Sequence, residues 1–174
     1  MADRSTAHGA ARIGAPSHDE RLVVTLAGVT GDTSSRTVNE SLLAHLQSVL
    51  GRLPEVAEAS LFPRSKQETL LVALETAAYP DAIETVRLEI RAYTNGEFHI
   101  SYLERYLGER RQCRWDRHEQ DHNSRDHFHP LPDASTAAAE DRSFPLDLTA
   151  VLRSVVFPWV EERFSELWDG ENGR

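Results

Sequence analysis

The chain of 174 residues contains one cysteine, Cys113, and one lysine, Lys66. A single cysteine excludes an intrachain disulfide framework and a zinc site made of clustered cysteines. A bound divalent metal would therefore need histidine and carboxylate ligands. The length suits one domain with a modest hydrophobic core.

Long apolar runs and familiar catalytic motifs are also missing. No stretch approaches the ~20 apolar residues that a membrane helix requires, and residues 1–20 contain no apolar signal-peptide core. We therefore expect a cytoplasmic protein that does not enter a membrane. The sequence has no HExxH metalloprotease pattern, P-loop, GxSxG elbow or GxGxxG turn.

The charge balance is acidic, with 28 Asp and Glu residues against 19 Lys and Arg residues and a net charge of −9. Arginine has almost replaced lysine. This composition is typical of a salt-rich cytoplasm, where screening makes acidic self-repulsion tolerable, and it predicts a halophilic origin. A GC-rich mesophilic genome would explain the same composition. An acidic surface argues against loose electrostatic binding of nucleic acid, so any contact with RNA must be local and made through arginines.

The pattern along the chain predicts a disordered arm over residues 1–20 and a single α+β domain over residues 21–174. Residues 21–31 are expected to form a strand, and residues 68–76 another. Residues 37–53 have apolar side chains at helical spacing, and Thr37 and Glu40 are spaced as a capping box.

Residues 86–116 predict three antiparallel strands whose register can be derived. A three-residue loop at 94–96, with Gly96 left-handed, places Ile90 opposite Ile100 and gathers the large apolar side chains on one face. A two-residue turn at Leu107 and Gly108 then places Ile100 opposite Trp115.

The same register places Arg91, His99 and Asp116 in one row on the polar face of the sheet. This row could be an ordinary cross-strand ion pair or part of a site. After a linker, residues 146–168 predict a C-terminal helix that Pro158 should kink or restart. The expected fold is therefore an antiparallel β-meander packed on one face by a helix from the N-terminal half and a C-terminal helix.

Residues 115–130, WDRHEQDHNSRDHFHP, hold four of the eight histidines and are interpreted as a His-rich loop. His118 and His122 have the spacing of one helix face, and His127 and His129 have the spacing of one strand face. Either pair could bind a divalent metal such as Zn²⁺, Ni²⁺ or Mn²⁺, with aspartates as further ligands. All four histidines are candidate metal ligands.

The same segment offers the groups that metal-free RNA cleavage needs, namely two histidines for proton transfer and arginines for the phosphate. The candidate catalytic residues are His99, Asp116, His118, His122, His127 and His129. The candidate substrate-binding residues are Arg91, Arg114, Arg117 and Arg125. A polar loop that merely caps the sheet is the competing interpretation.

The order of these elements, together with the segments RWDRHEQDH and DHFHP, resembles the TumE-like family of toxins, which occurs in archaea and bacteria. The likeness covers roughly residues 84–168 and is carried by Trp115, Asp116, His118, His122, His127 and His129. It implies a growth-arresting toxin of a type II toxin-antitoxin system, paired with a small DNA-binding antitoxin and acting on RNA. With the acidic composition, a haloarchaeal member is expected.

The chain departs from the family in its additional N-terminal part, residues 1–83, which is a candidate pairing surface. The alternative hypothesis is a non-catalytic module of a halophilic archaeon that binds metal or another protein. In that case the histidines would stabilise the folded state by ligating the metal.

Overall fold

The computed structural model describes residues 36–119 and 125–172. The predicted arm at 1–20, the predicted strand at 21–31 and the candidate ligand His122 lie outside the described residues. Three helices and seven strands make up the described fold: α1 (Glu40–Leu50), β1 (Val56–Phe62), β2 (Thr69–Leu74), β3 (Ile83–Ala92), β4 (Phe98–Tyr106), β5 (Glu109–Arg117), β6 (Asp126–His129), β7 (Glu140–Asp141), α2 (Leu148–Val151) and α3 (Phe157–Asn172).

The seven strands form one sheet in chain order, and every neighbouring pair is antiparallel. Side chains alternate between an apolar face and a polar face because successive residues of a strand point to opposite sides. Leu88, Ile90 and Ile100 are fully buried on the apolar face, where they pack with Leu43 and Leu46 of α1. The α+β meander predicted from the sequence is confirmed.

The predicted register of the central strands is also confirmed. Ile90 lies opposite Ile100, and Ile100 lies opposite Trp115. Gly96 has a φ of 84°, as the three-residue loop requires, since this left-handed region is open to glycine without steric cost. Leu107 and Gly108 have φ values of 51° and 81°, which a tight two-residue turn between β4 and β5 requires.

The start of α1 differs from the prediction. The N-cap is Asn39, whose side-chain oxygen accepts a hydrogen bond from the backbone N–H of Leu42 at 3.1 Å. The capping box assigned to Thr37 and Glu40 is therefore wrong. Before the helix begins, Val38 forms a β-bridge with Tyr93 and keeps the chain extended.

The C-terminal helix contains a π-helical segment, Leu152–Val156, between α2 and α3. Pro158 lies two residues after the end of this segment, and its missing N–H cannot form the regular bond to the carbonyl of Ser154. The predicted perturbation at Pro158 thus takes the form of a π-bulge, one of the usual causes of a local irregularity in a helix. Within α3, Trp159 packs edge-on against Tyr102 and Trp115, with ring centroids 5.0 and 5.2 Å apart.

The segment at 115–130, interpreted as a loop from its sequence, is mostly strand. β5 continues to Arg117 and β6 spans Asp126–His129, and the two strands pair with Asp116 opposite His127. The interpretation as one loop is wrong because Trp115 and Phe128 stack on the apolar face, 5.2 Å apart, and hold the strands together. In the described ranges, no helix is long and apolar enough to cross a membrane.

Candidate active site

A row of polar side chains crosses the sheet on the face opposite the core. Arg91 pairs with His99, His99 with Asp116, and Asp116 with His127, so four neighbouring strands each contribute one residue. The first three members are the row predicted from the register. His127 joins it because β6 pairs with β5, which the sequence did not predict.

Asp116 is the centre of this row, and its side chain is fully buried. Its Oδ1 lies 2.7 Å from Nδ1 of His99, and its Oδ2 accepts a hydrogen bond of 2.5 Å from Nε of Arg114. Oδ2 also lies 3.1 Å from Nε2 of His129 and 3.6 Å from Nε2 of His127. Burial acts to raise the pKa of Asp116, but the hydrogen bond from His99 and the charge of Arg114 outweigh burial and lower the pKa. Asp116 is therefore an ionised carboxylate at neutral pH.

The contact with Asp116 fixes the orientation and tautomer of His99. A carboxylate only accepts hydrogen bonds, so Nδ1 of His99 carries a proton, and Nε2 has a lone pair when the ring is neutral. The His99 side chain is partly exposed, at 24%, and its ring centroid lies 5.3 Å from that of His118. Two imidazoles therefore lie side by side, one of them held by a buried carboxylate.

His118 differs from His99 in its surroundings. Burial lowers the pKa of His118, and a hydrogen bond with the carbonyl oxygen of Glu119 offsets the effect only in part. His118 is therefore predominantly neutral at pH 7 and can accept a proton.

Two arginines border the same region. Nε of Arg91 donates a hydrogen bond of 3.0 Å to the hydroxyl of Thr69, and the side chain of Arg114 is 35% exposed beside Asp116. Together with the histidines they line a cleft of about 350 Å³. The lining residues are Glu89, Arg91, His99, Ser101, Arg114, Asp116 and His118.

Arg117 and Arg125, also proposed from the sequence as phosphate ligands, do not line this cleft. Arg117 points to the opposite face, where Nε and Nη2 donate to the carboxylate of Asp126 at 2.7 and 2.8 Å. Nη1 also donates to the backbone carbonyl of Leu146, and Nη2 to that of Phe144. Arg125 is exposed in the connection between β5 and β6.

His127 and His129 lie on β6, opposite Asp116 and Arg114 of the cleft, and are almost completely buried. The ring of His127 contacts the rings of His118 and His129, with centroids 4.8 and 5.0 Å apart. Nδ1 of His129 donates to the carbonyl oxygen of Ser135 at 3.2 Å, so its Nε2 carries the lone pair of the neutral ring. Burial lowers the pKa of His129 and favours this neutral form, with Arg114 acting in the same direction.

Two residues of the cleft were missed in the sequence, Glu89 and Ser101. Each lies two positions from a predicted member of the row, on the same strand, and therefore on the same face. The alternation of side chains was the signal that could have identified them.

A comparison with protein families matches residues 46–164 to the family described as Toxin TumE. The matched range is about two thirds of the chain and begins within α1, ends within α3 and includes every residue of the cleft. No curated protein and no solved structure matches the chain.

Proposed function

This chain belongs to the TumE toxin family and is therefore a toxin of a toxin-antitoxin system, and we propose that it arrests growth by cleaving RNA in the cleft of His99 and His118. The observation that carries the proposal is the pair of adjacent imidazoles, one anchored on a buried carboxylate, in a cleft with two arginines. Burying an ionised carboxylate costs several kcal/mol or more in lost hydration. A surface that only covers the end of a sheet would not require such a group, so its presence favours a functional site.

The two histidines suit opposite steps of proton transfer. Neutral His118 would take the proton of a ribose 2′-hydroxyl as its oxygen attacks the adjacent phosphorus. Protonated His99 would give its Nε2 proton to the departing 5′-oxygen, which leaves a 2′,3′-cyclic phosphate and a 5′-hydroxyl. Asp116 would stabilise the imidazolium form of His99 and keep its ring in position, as a carboxylate does in a catalytic triad.

The arginines of the cleft would bind the phosphate, although the protein as a whole is acidic and repels it. Arg114 and Arg91, which line the cleft, would bind the phosphate and stabilise the charge of the pentacoordinate transition state. The net charge of −9 works against binding along an extended surface, so we expect a short single-stranded segment to enter the cleft. Arg125 could add a contact at the edge, whereas Arg117 is engaged within the fold.

The family implies an antitoxin, and we propose that this partner is a small DNA-binding protein. The abundance of acidic residues and arginine, with a single lysine, supports an origin in a halophilic archaeon and action in its cytoplasm. The proposal predicts a neighbouring gene that encodes a short helix-turn-helix or ribbon-helix protein.

The test is induction of the wild type and of three single variants, His99→Ala, His118→Ala and His45→Ala, in a host whose cytoplasmic salt suits an acidic protein. His45 is an exposed histidine on α1, so its replacement controls for the loss of an imidazole as such. Growth, total-RNA integrity and the chemistry of the new RNA ends are measured. We expect arrest and RNA with 2′,3′-cyclic phosphate ends for the wild type and His45→Ala only.

Arrest of growth with intact RNA would overturn the proposed reaction while leaving the toxin assignment in place. Cleavage by folded His99→Ala and His118→Ala variants would show that the chemistry occurs elsewhere. A wild type that neither arrests growth nor cuts RNA would favour the alternative of a non-catalytic module.

A further inference from the structure

Asp116 of the cleft also belongs to a set of potential metal ligands on β5 and β6. Asp116, His127 and His129 each offer one ligand atom, and these three atoms lie within 4.8 Å of one another. We propose that these residues bind one divalent transition-metal ion, with Zn²⁺ as the preferred ion. This site combines the pair His127/His129 suggested by sequence spacing with one of the aspartates, Asp116, and His118 is not part of it.

The distances between the ligand atoms fit one coordination shell. Bonds of about 2.0–2.2 Å arranged as a tetrahedron place neighbouring ligand atoms about 3.3 Å apart. Oδ2 of Asp116 lies 3.1 Å from Nε2 of His129 and 3.6 Å from Nε2 of His127. Both distances are close to this value, and the ligand atoms of the three residues all lie within 4.8 Å of one another.

The surroundings also match those of a metal site. A ligating histidine usually donates its other ring N–H to a carbonyl or carboxylate, and Nδ1 of His129 donates to the carbonyl oxygen of Ser135. A ligating carboxylate is usually hydrogen-bonded as well, and Oδ1 of Asp116 accepts from His99. The side chains of Asp116, His127 and His129 are at most 2% exposed, so water competes weakly for the ion.

When no metal is bound, the guanidinium of Arg114 supplies the positive charge beside Asp116 and His129. Its Nε donates to Oδ2 of Asp116, and its Nη2 lies 3.1 Å from Nε2 of His129, so the guanidinium contacts two of the three ligand atoms. Binding of an ion would displace this guanidinium toward the cleft, which the partly exposed side chain of Arg114 lines. Arg114 is thus a competitor whose removal should strengthen metal binding.

The ligand types determine the class of metal. Two imidazole nitrogens and one carboxylate oxygen suit Zn²⁺ and its first-row neighbours, whereas Mg²⁺ and Ca²⁺ prefer shells of oxygen. Three protein ligands leave a fourth coordination position for water or another ligand.

The inference goes beyond the proposed function, which uses His99 and His118 as its proton-transfer groups and shares Asp116 and Arg114 with this site but requires no metal ion. Metal binding is measured on the protein itself, without RNA. Stoichiometric binding of metal by a protein that leaves RNA intact would support the metal site and overturn the proposed RNA cleavage. RNA cleavage by a protein that binds no metal would overturn the metal site alone.

The experiment uses the full chain, treated with a chelator and then titrated with Co²⁺ and Zn²⁺. We expect one Co²⁺ per chain with the absorption bands of a four-coordinate ion, displacement by Zn²⁺, and a higher Tm with metal because the ligand binds only the folded state. The substitutions His127→Gln and His129→Gln should each weaken metal binding at least about tenfold. His45→Gln is the matched control and should bind as the wild type does.

Arg114→Gln gives a second readout that does not alter a buried residue. We expect its affinity for Co²⁺ to rise, because a competing positive charge has been removed. Absence of stoichiometric binding would overturn the proposal. Binding that survives in folded His127→Gln and His129→Gln variants would also overturn it. If these variants fail to fold, an affinity that is unchanged or reduced in Arg114→Gln would overturn it as well.

Discussion

Nδ1 of His99 lies 2.7 Å from Oδ1 of Asp116, a carboxylate that is fully buried and also bonded to Arg114. An imidazole oriented in this way keeps a lone pair or a second proton at Nε2, the atom available for chemistry. Since the carboxylate fixes the tautomer of His99, the first prediction concerns the charge of Asp116.

Asp116→Asn should lower the rate of RNA cleavage by a factor of about 10² or more, because the amide cannot stabilise protonated His99. The measurement is single-turnover cleavage of a labelled RNA oligonucleotide. Glu89→Gln is the matched control, since Glu89 is a carboxylate of the same cleft that is bonded to Arg87. Equal losses in both variants would indicate a general effect of charge and contradict the role of Asp116.

The central register could be predicted from sequence because alternation leaves only one pairing that gathers Ile90, Ile100 and Trp115 on the same face. The position of His127 could not be predicted in this way. β6 has four residues and only one apolar side chain, Phe128, on its core-facing side, which is too little for a periodic signal.

The same alternation of side chains predicts the face of the sheet on which Arg117 lies. Arg117 is two residues from Trp115 and must share its face, yet charged residues are usually expected on the polar face. The compensating partner, Asp126, could not be foreseen without the pairing of β5 with β6. The first turn of α1 was misassigned because the bridge of Val38 with Tyr93 is a long-range contact.

Arg117 is predicted to stabilise the fold. Its side chain is 3% exposed and makes a bidentate ion pair with Asp126. Arg117→Ala should lower the free energy of unfolding by about 3–5 kcal/mol, since Asp126 would lose its charged partner in a largely buried position. Arg117→Lys should recover only part of this loss because an ammonium group cannot reproduce the planar fork.

Urea unfolding followed by tryptophan fluorescence measures the effect. Arg153→Ala, at an exposed position, is the control and should change stability by less than about 0.5 kcal/mol. A similarly small change in Arg117→Ala would show that the ion pair does not stabilise the fold.

A buried ion pair attaches α3 to the sheet. Glu104 is 2% exposed, accepts a hydrogen bond from the hydroxyl of Tyr102 at 2.8 Å, and binds Nη2 of Arg163 at 2.6 Å. Glu104→Leu alone should cost about 3–5 kcal/mol because it leaves Arg163 without its main partner. Glu104→Leu combined with Arg163→Met should be more stable than either single variant, since the desolvated charges are removed together.

Thermal and urea unfolding of the four proteins in this double-mutant cycle give the coupling energy between the two side chains. Additive effects would contradict the prediction, since they would mean that Glu104 and Arg163 stabilise the fold independently.

Two glycine-to-alanine substitutions should have opposite signs. Gly96, in the turn between β3 and β4, has a φ of 84°, which costs a residue with a Cβ about 1–2 kcal/mol. The space around its Cβ position is ordinary, with the nearest atom of another residue, Nη2 of Arg125, 4.0 Å away. The loss in Gly96→Ala should therefore come from backbone conformation alone. Gly170 lies in α3 and a Cβ there would meet nothing within 4 Å, so Gly170→Ala should stabilise by about 0.5–1 kcal/mol. Urea midpoints that move in the same direction for both variants would contradict this prediction, because each substitution adds the same methyl group and only the backbone conformation differs.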